Sequence, residues 1–376
     1  MLESLLELFG NFSNITISQV IMWIIGGILI FLAIKKDMEP TLLLPMGFGA
    51  ILVNLPLSGA ITQGHEEGVI DILFNAGIAN ELFPLLLFIG IGAMIDFEPL
   101  LVNPKLMLFG AAAQFGIFFT LAMAALLGFD IKDAASIAII GAADGPTSIF
   151  VANFFKSNYL GAIIVAAYSY MALVPIVQPP VIKLITTKKE RLIRMNYTGT
   201  KVSKLTKILF PIVVTMITGF FSPKSVSLIG FLMFGNLIRE CGVLNSLSDT
   251  AQKVLANLIT LFLGITVSAR MTAEQFLNKE TLMILALGLV AFIFDTFGGV
   301  MFAKFLNLFS KNKINPMIGA AGISAFPMSA RVVHKMGLQE DSQNFLLMHA
   351  IGVNVSGQIA SVVAGGMILN FFAHLI

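Results

Sequence analysis

Long apolar stretches separated by short polar segments fill most of this chain. Ten of them are candidates for membrane-spanning helices, which need about 20 mostly apolar residues. These ten stretches lie at residues 18–34, 41–57, 82–95, 106–128, 159–185, 207–221, 225–238, 254–269, 282–306 and 345–372. Two further apolar stretches, 134–155 and 314–333, are interrupted by glycine and proline. The pattern predicts an all-α polytopic membrane protein with two broken helices.

The composition points to the same environment. Hydrophobic residues make up 57% of the chain and charged residues only 12%, whereas about a quarter of the residues in soluble domains are charged. The net charge of +2 gives no reason to expect a nucleic-acid partner. The single cysteine, Cys241, excludes an intrachain disulfide and a cysteine-rich metal site. Residues 1–10 carry two glutamates and no lysine or arginine, so we expect an amphipathic segment on the bilayer surface rather than a signal peptide.

One basic segment divides the chain nearly in half. Residues 186–207 contain seven lysines and arginines and a single acid, Glu190. Short loops rich in lysine and arginine stay on the cytoplasmic side of a membrane. We therefore expect a first membrane repeat at residues 1–185, a basic cytoplasmic linker at 186–207 and a second membrane repeat at 208–376.

The two halves carry matching motifs in the same order. "IGAA" occurs at 140–143 and at 318–321, 178 residues apart, and "LFIG" from Leu87 matches "LFLG" from Leu261, 174 residues apart. This near-constant separation indicates an internal duplication. If each broken stretch enters and leaves on one side, each half crosses about five times, the second half is inverted, and both termini lie outside. If the broken stretches cross fully, the halves are parallel.

The stretch "IGAADGPTSIF", residues 140–150, places an acid beside a helix break. Gly145 and Pro146 disfavour a continuous helix, and irregular backbone at membrane depth survives only inside protein or beside a wet cavity. Asp144, two hydroxyls and freed carbonyls are oxygen ligands of the kind that bind Na⁺ in broken helices. An intramembrane acid is a functional hypothesis by default. Alternatively, Asp144 caps the half-helix that follows, and the two roles are compatible.

The second break reads "NPMIGAAGISAFPMSAR", residues 315–331. Gly322 occupies the position that corresponds to Asp144, so the two breaks differ in charge. The polar side chains of this break are Asn315, Ser324, Ser329 and Arg331. They either contribute to a site shared with the first break or pack as ordinary polar groups between helices. Arg331, just beyond the break, either anchors at the cytoplasmic interface or receives an anionic group.

Several polar residues lie outside the breaks. Asn354, Gln358 and Ser361 share one face of the last helix, where they either hold helices together or supply further ion ligands. Asp295 is a second mid-helix acid, which either binds an ion or proton or pairs with a basic group. Tyr170, near the middle of its helix, is either a proton donor or acceptor or a packing residue. The run "PIVQPP" that follows is expected to kink or end that helix.

Together these motifs resemble one known family. "GAADGPTSIF", "YSYMALVPIVQPP", "DTFGGVMFAK", "NPMIGAAGISAFPMSAR" and "NVSGQIASVVAGG" look like segments of the β subunit of the biotin-dependent sodium-pumping decarboxylases. That group includes the oxaloacetate, methylmalonyl-CoA and glutaconyl-CoA decarboxylases. The resemblance extends over nearly the whole chain.

The resemblance implies an activity shared among several subunits. In this family a carboxyltransferase α subunit moves a carboxylate from the substrate to biotin on a carrier subunit. The β subunit then decarboxylates carboxybiotin, consumes a proton and exports Na⁺. Biotin is therefore expected on a partner, not on this chain. The resemblance also implies a small membrane subunit, a homo-trimer of this chain, an elevator-like core that moves against a scaffold, and the bacterial cytoplasmic membrane.

The resemblance also implies roles for individual residues. Asp144 matches the family's sodium-binding aspartate, and Tyr170 matches its functional tyrosine. The expected Na⁺ ligands are Asp144, Asn315, Ser324 and Asn354. The expected catalytic residues are Asp144, Tyr170, Ser324 and Arg331. Arg331 is further expected to hold the carboxylate of carboxybiotin. The residues expected to shape the breaks are Gly145, Pro146 and Gly319.

One alternative function uses the same architecture. A self-contained Na⁺-coupled organic-anion carrier would move a solute through an inverted repeat without breaking a bond. Association with a biotinylated carrier subunit separates the two hypotheses. A non-transporting scaffold gives no reason to place an acid beside a broken helix.

Overall fold

The computed structural model describes residues 14–195 and 201–375, and this part of the chain is helical, without β-strands. The surface segment expected at residues 1–10 lies outside the described residues. The helices are α1 (Ile17–Lys36), α2 (Pro40–Val53), α3 (Val69–Gly77), α4 (Leu82–Met94), α5 (Glu98–Val102), α6 (Met107–Ala113), α7 (Phe115–Leu126), α8 (Ile131–Ala138), α9 (Gly145–Phe154), α10 (Leu160–Ile185), α11 (Lys188–Arg191), α12 (Lys204–Phe221), α13 (Val226–Cys241), α14 (Asn245–Asp249), α15 (Ala256–Val267), α16 (Ala273–Phe276), α17 (Lys279–Phe309), α18 (Met328–Glu340) and α19 (Leu347–Phe372). Tighter 3₁₀ turns are Pro104–Leu106, Ile139–Ala142, Pro223–Ser225, Ser268–Arg270, Pro316–Gly322 and Ala373–Leu375, and Thr250–Leu255 is a π-helical turn.

Seven helical segments in the described ranges are long and apolar enough to cross a bilayer. They are Ile17–Lys36, Pro104–Leu126, Leu160–Ile185, Lys204–Phe221, Asn245–Arg270, Lys279–Phe309 and Leu347–Phe372. Each corresponds to one of the ten uninterrupted stretches predicted from the sequence. The chain is therefore a multi-pass, all-helical membrane protein.

The other three predicted spans are short helices. Helices α2, α4 and α13 have 14, 13 and 16 residues. At 1.5 Å per residue they measure about 20–24 Å, which is less than the hydrocarbon core of roughly 30 Å. Helix α4 forms a bent pair with α3, with an angle of 62° between them.

Four helix pairs join the two predicted halves, and each pair has one helix from each half. Helix α4 packs against α13 and α2 against α15, and in the same way α6 packs against α19 and α10 against α17. The α4–α13 contact is a contact of backbones. A Cβ atom added to Gly235 would lie 2.1 Å from the carbonyl oxygen of Ile89, and one added to Gly92 would lie 1.8 Å from that of Leu232. Small residues are what allow membrane helices to approach this closely.

Helix α10 does not end at its prolines. It continues through Pro175, Pro179 and Pro180 to Ile185, so the alternative that the run ends the helix is wrong. Between these prolines, Gln178 Nε2 donates hydrogen bonds to the carbonyl oxygen of Ala320 at 2.6 Å and to Ser329 Oγ at 3.0 Å. The proline segment is thus fixed to the second break by a buried amide.

Both interrupted segments lie in the interior of the helical bundle. All residues in 133–152 and in 315–325 are buried. This burial satisfies the rule that irregular backbone at membrane depth must be enclosed by protein or line a cavity.

The α4–α13 backbone contact predicts a difference between two glycine substitutions. Gly235→Ala should lower the free energy of unfolding by about 1–3 kcal/mol, because the new methyl group meets the Ile89 carbonyl. Gly27→Ala is the control, since a Cβ there meets nothing within 4 Å. Thermal unfolding of the purified variants, followed by size-exclusion chromatography, measures the difference. Equal unfolding temperatures would contradict the proposed contact.

Candidate functional site

The first break is a turn that ends in an acidic helix cap. Helix α8 runs into the 3₁₀ turn Ile139–Ala142, and Ala143 then adopts a left-handed conformation with φ of 51°. Asp144 is extended, and its Oδ1 atom accepts a hydrogen bond from the backbone N–H of Thr147 at 3.2 Å. Pro146 lies in the first turn of α9, where its missing N–H costs no helical hydrogen bond. The acid therefore caps α9 at its N-terminus.

The second break meets the first through the backbone. The turn Pro316–Gly322 is followed by extended backbone at Ile323, and α18 begins at Met328. The N–H of Ser324 donates a hydrogen bond to the carbonyl oxygen of Ala142 at 3.0 Å. A carbonyl freed by one break is therefore satisfied by the other.

Three hydroxyl groups converge on one carboxylate oxygen where the breaks meet. Asp144 Oδ2 accepts hydrogen bonds from Thr147 Oγ1 at 2.8 Å, Ser324 Oγ at 3.2 Å and Ser361 Oγ at 2.8 Å. The hydroxyls of Ser361 and Ser324 are 3.0 Å apart. Thr147 lies in α9, Ser324 in the second break and Ser361 in α19, and Asp144 is the cap of α9. We call these four residues the Asp144 cluster. Each is at most 4% exposed.

The Asp144 cluster has the chemistry of a small-cation site. No lysine, arginine or histidine among the described residues forms an ion pair with Asp144. A buried carboxylate without a counter-charge is costly, and either a cation or a proton removes that cost. A hydroxyl donates one hydrogen bond and also has lone pairs. The three hydroxyls can therefore donate to the carboxylate or turn their lone pairs toward a cation.

Asn315 lies at the far end of the second break and not in the Asp144 cluster. Its Oδ1 atom accepts a hydrogen bond from the N–H of Met317 at 3.1 Å. Its Nδ2 atom donates to the carbonyl oxygens of Arg191 and Ile193, both at 2.9 Å. Asn315 therefore caps the turn and joins it to the basic linker.

Asn354 holds the other end of the same turn. Its Nδ2 atom donates to the carbonyl oxygens of Ala321 at 3.1 Å and Ile323 at 2.7 Å. Its Oδ1 atom is buried and has no hydrogen-bond partner in the described part of the chain. Asn354 lies two helical turns before Ser361 on α19, so it is next to the Asp144 cluster without contacting Asp144.

Tyr168 lies against the cap of the first break, whereas the hydroxyl of Tyr170 binds α17. The hydroxyl of Tyr170 donates a hydrogen bond to the carbonyl oxygen of Leu285 on α17. Tyr168 is fully buried, and a Cβ added to Gly145 would lie 2.3 Å from its ring atom Cζ. The Tyr168 hydroxyl has no partner in the described residues. Gly145 is thus required for the tyrosine ring to approach the break.

Gly319 brings α17 against the second break. A Cβ added to Gly319 would lie 2.0 Å from the carbonyl oxygen of Gly299, and one added to Gly299 would lie 2.1 Å from that of Gly319. The two backbones are therefore in direct contact, and neither glycine has room for a side chain.

Arg331 is exposed in the first turn of α18, away from the Asp144 cluster. Its positive charge acts on one acid, Glu39, in the connection between α1 and α2. Burial raises the pKa of Glu39, and the positive charge of Arg331 opposes this rise. Arg331 therefore has a partly buried acid beside it and a guanidinium group that solvent can reach.

The sequence leaves three residues near this site without a definite role. Ser361 shares a face of the last helix that either holds helices together or supplies ion ligands, and Thr147 is one of the two hydroxyls of the first break. Tyr168 lies two residues before Tyr170, to which the resemblance assigns the functional role. The signal that could have found Thr147 is its position three residues after the acid, where the backbone N–H of a helix binds its cap.

The fold and this site define a class of protein, a multi-pass membrane protein in which two helix breaks enclose a carboxylate, and comparisons with known proteins identify its family. Residues 18–372 match the family model described as "Na+-transporting oxaloacetate decarboxylase beta subunit". The chain is 51% identical to the methylmalonyl-CoA decarboxylase subunit beta of Veillonella parvula, over 97% of this chain and 96% of the relative. It is 50% identical to the glutaconyl-CoA decarboxylase subunit beta of Acidaminococcus fermentans, over 96% and 95%. It is 43% identical to the oxaloacetate decarboxylase beta chain of Haemophilus ducreyi, over the whole of both chains.

The chain belongs to the family of β subunits of Na⁺-transporting decarboxylases. It is accordingly a membrane subunit of a decarboxylase sodium pump, the part of such a complex that translocates Na⁺.

The Asp144 cluster predicts that two serines of α19 respond differently to substitution. Ser361→Ala should weaken Na⁺ binding about tenfold, because it removes an oxygen that contacts Asp144, a contact of roughly 1.5 kcal/mol. Ser356→Ala is the control, since Ser356 Oγ donates only to the carbonyl oxygen of Val353 in its own helix. Thermal stabilisation of the purified chain by NaCl, compared with KCl, reports the affinity. Unchanged stabilisation in Ser361→Ala would show that this serine is not a ligand.

Proposed function

We propose that this chain decarboxylates carboxybiotin on a partner carrier subunit and couples that step to proton consumption and Na⁺ export, with the Asp144 cluster as the Na⁺ site. The observation that carries the proposal is the convergence of three hydroxyls on a buried, unpaired carboxylate where two helix breaks meet. All of these ligand atoms are oxygens, which are the donors that suit Na⁺.

Competition between Na⁺ and a proton supplies the coupling. A bound cation favours the ionised form of Asp144, and loss of the cation favours protonation, because the buried carboxylate needs one positive charge. Occupancies linked in this way are reciprocal. A reaction that consumes a proton therefore influences Na⁺ occupancy, and Na⁺ occupancy influences the reaction.

The cytoplasmic entrance is proposed to lie at Arg331. Its exposed guanidinium provides paired N–H donors that match a carboxylate. Carboxybiotin carries such a group, so Arg331 would orient it as it enters. Glu39 beside it is an acid that Arg331 contacts electrostatically when no external carboxylate is present.

The remaining predicted residues take supporting roles in the proposal. Ser324 belongs to the Asp144 cluster and is the leading candidate to pass a proton to or from it. Asn354 contributes its unpartnered Oδ1 atom when the second break moves, and Asn315 fixes the other end of that break. Tyr170 holds α10 to α17 and is a candidate proton donor when its bond to Leu285 opens.

We also propose an inverted pair of repeats with an elevator-like core. Exchange of the two halves would relate the pair α4–α13 to the pair α2–α15, and the pair α6–α19 to the pair α10–α17. This relation supports a two-fold axis between the halves. The broken helices, α10, α17 and α19 would form the moving core. Helices α1, α2, α4, α12, α13 and α15 would form the scaffold.

The names of the relatives, which are "beta" subunits or chains of decarboxylases, support a complex of several subunits. The proposed partners are a biotin carrier subunit, a carboxyltransferase α subunit and a small membrane subunit, with three copies of this chain in a trimer. The proposed location is the bacterial cytoplasmic membrane, with the basic linker on the cytoplasmic side.

Replacement of the central acid tests the coupling. Asp144→Asn should reduce Na⁺-stimulated decarboxylation of free carboxybiotin in proteoliposomes to background, because the amide has no charge to exchange between Na⁺ and a proton. The control is Asp133→Asn, because Asp133 Oδ1 accepts from Ser157 Oγ at 2.6 Å near the start of α8 and does not join the cluster. Full Na⁺ stimulation in Asp144→Asn would contradict the assignment. Na⁺-driven uptake of an organic acid without any decarboxylation would favour the carrier alternative.

The role of Arg331 predicts an effect on substrate binding alone. Arg331→Gln should raise KM for carboxybiotin by about 10–100-fold, the range for a lost hydrogen bond to a charged group. The concentration of Na⁺ that gives half-maximal stimulation should stay unchanged, because Arg331 lies outside the Asp144 cluster. Lys335→Gln, an exposed cation one turn further along α18, is the matched control. An equal KM in both variants would remove Arg331 from the substrate site.

A further inference from the structure

A second acid lies in the membrane interior, apart from the Asp144 cluster. Asp295 is near the midpoint of α17, a helix of 31 residues, and is therefore roughly 20 Å from either end. Its side chain is 1% exposed. An acid at this depth is a functional hypothesis by default.

Two glycines from different elements make room for the Asp295 carboxyl group. A Cβ added to Gly116, in the first turn of α7, would lie 2.4 Å from Asp295 Oδ1. One added to Gly141, in the 3₁₀ turn of the first break, would lie 2.9 Å from Oδ2. The carboxyl group is therefore enclosed between the start of α7 and the first break.

The junction of α6 and α7 lies against Asp295. Gln114 interrupts the helix there. Its Nε2 atom donates a hydrogen bond to the carbonyl oxygen of Gly110 at 3.0 Å, which gives a carbonyl of α6 a partner. On the downstream side the backbone of Gly116 lies against Asp295 Oδ1, and the N–H of Ile117 donates to the carbonyl oxygen of Gln114 at 3.1 Å. Neither carboxylate oxygen of Asp295 has a hydrogen-bond partner among the described residues.

No counter-charge accompanies Asp295. The titratable side chains on α17 and on the elements packed against it are Lys132, Asp133, Asp144, Tyr168, Tyr170, Lys183, Glu274, Lys279, Glu280 and Lys304. None of these forms an ion pair or hydrogen bond with Asp295 in the described structure. An ionised carboxylate would therefore carry an uncompensated charge at a cost of several kcal/mol.

The groups that the glycine contacts place beside Asp295 suit a proton better than a metal cation. Besides the two glycines they are the carbonyl oxygen and side chain of Ala291 and the backbone nitrogen of Ile117. A sodium ion requires several oxygens, whereas a proton requires one. The N-terminus of α7, beside the carboxyl group, favours the anion through the helix dipole, so both protonation states are accessible.

We propose that Asp295 is a second cation site of the transport core, specific for a proton and separate from the Asp144 cluster. It holds this proton whether or not Na⁺ occupies the Asp144 cluster. The inference does not require Asp144 to bind Na⁺, because it rests on the enclosure of Asp295 alone. Since Gly141 contacts the Asp295 carboxyl group and lies three residues before Asp144, a change of charge at Asp295 acts directly on the first break.

Infrared spectroscopy of the purified full-length chain in lipid nanodiscs tests the proposal. At saturating NaCl, the wild-type chain should show the carbonyl stretch of a protonated carboxyl group. That signal should be lost in Asp295→Asn and retained in Asp144→Asn. Thr296→Val is the packing control, because it alters the neighbouring buried residue without removing an acid, and it should keep the signal.

An unchanged carboxyl signal in Asp295→Asn would overturn the proposal and leave Asp295 as an ionised residue beside the N-terminus of α7. If Asp295→Asn fails to assemble, Asp295→Ser provides the same comparison with a smaller neutral side chain. The signal that NaCl removes in the wild type, and that Asp144→Asn lacks, reports the Asp144 cluster separately. Failure of the proposed Na⁺ site is therefore distinguishable from failure of the Asp295 site.

Discussion

The interaction on which this structure depends is the hydrogen bonding of the Asp144 carboxylate inside an interrupted helix. Helix interruption frees backbone amides and carbonyls, and an enclosed acid brings a charge that water cannot solvate. The freed backbone groups and the acid partly satisfy each other's need for hydrogen bonds. Asp144 Oδ1 accepts from a freed amide of α9, while Oδ2 accepts from three hydroxyls. What remains unsatisfied is one positive charge, which a transported cation supplies in the function proposed above.

Neutral groups hold this arrangement in place. The amides of Asn354 and Gln178 bind carbonyls of the second break, and the contact of Gly319 with Gly299 sets the distance to α17. These contacts explain why the second break needs no acid of its own. Its role is to bring the hydroxyl of Ser324 to a carboxylate that the first break supplies. A second carboxylate there would require a second cation.

The sequence predicted the class of fold well because a bilayer demands long apolar helices, and it located both breaks because glycine and proline mark them. It also predicted spans at α2, α4 and α13, which are shorter than the hydrocarbon core of a bilayer, since apolar residues buried in protein look the same as residues facing lipid. Residue type also pointed to Asp144 and Ser324. The choice between Tyr168 and Tyr170 could not be made, because it depends on which helix lies opposite each ring. For the same reason, Asn315 was grouped with the acid although its amide binds the linker.

The central claim is that one carboxylate, enclosed by two breaks, exchanges Na⁺ for a proton. Equilibrium binding of tracer Na⁺ to the purified chain, measured across a range of pH, tests this claim most directly. Protons compete for the ionised carboxylate, so we expect Na⁺ affinity to rise as pH rises until Asp144 is fully ionised. Na⁺ binding whose affinity does not change with pH, or that persists unchanged in Asp144→Asn, would contradict it.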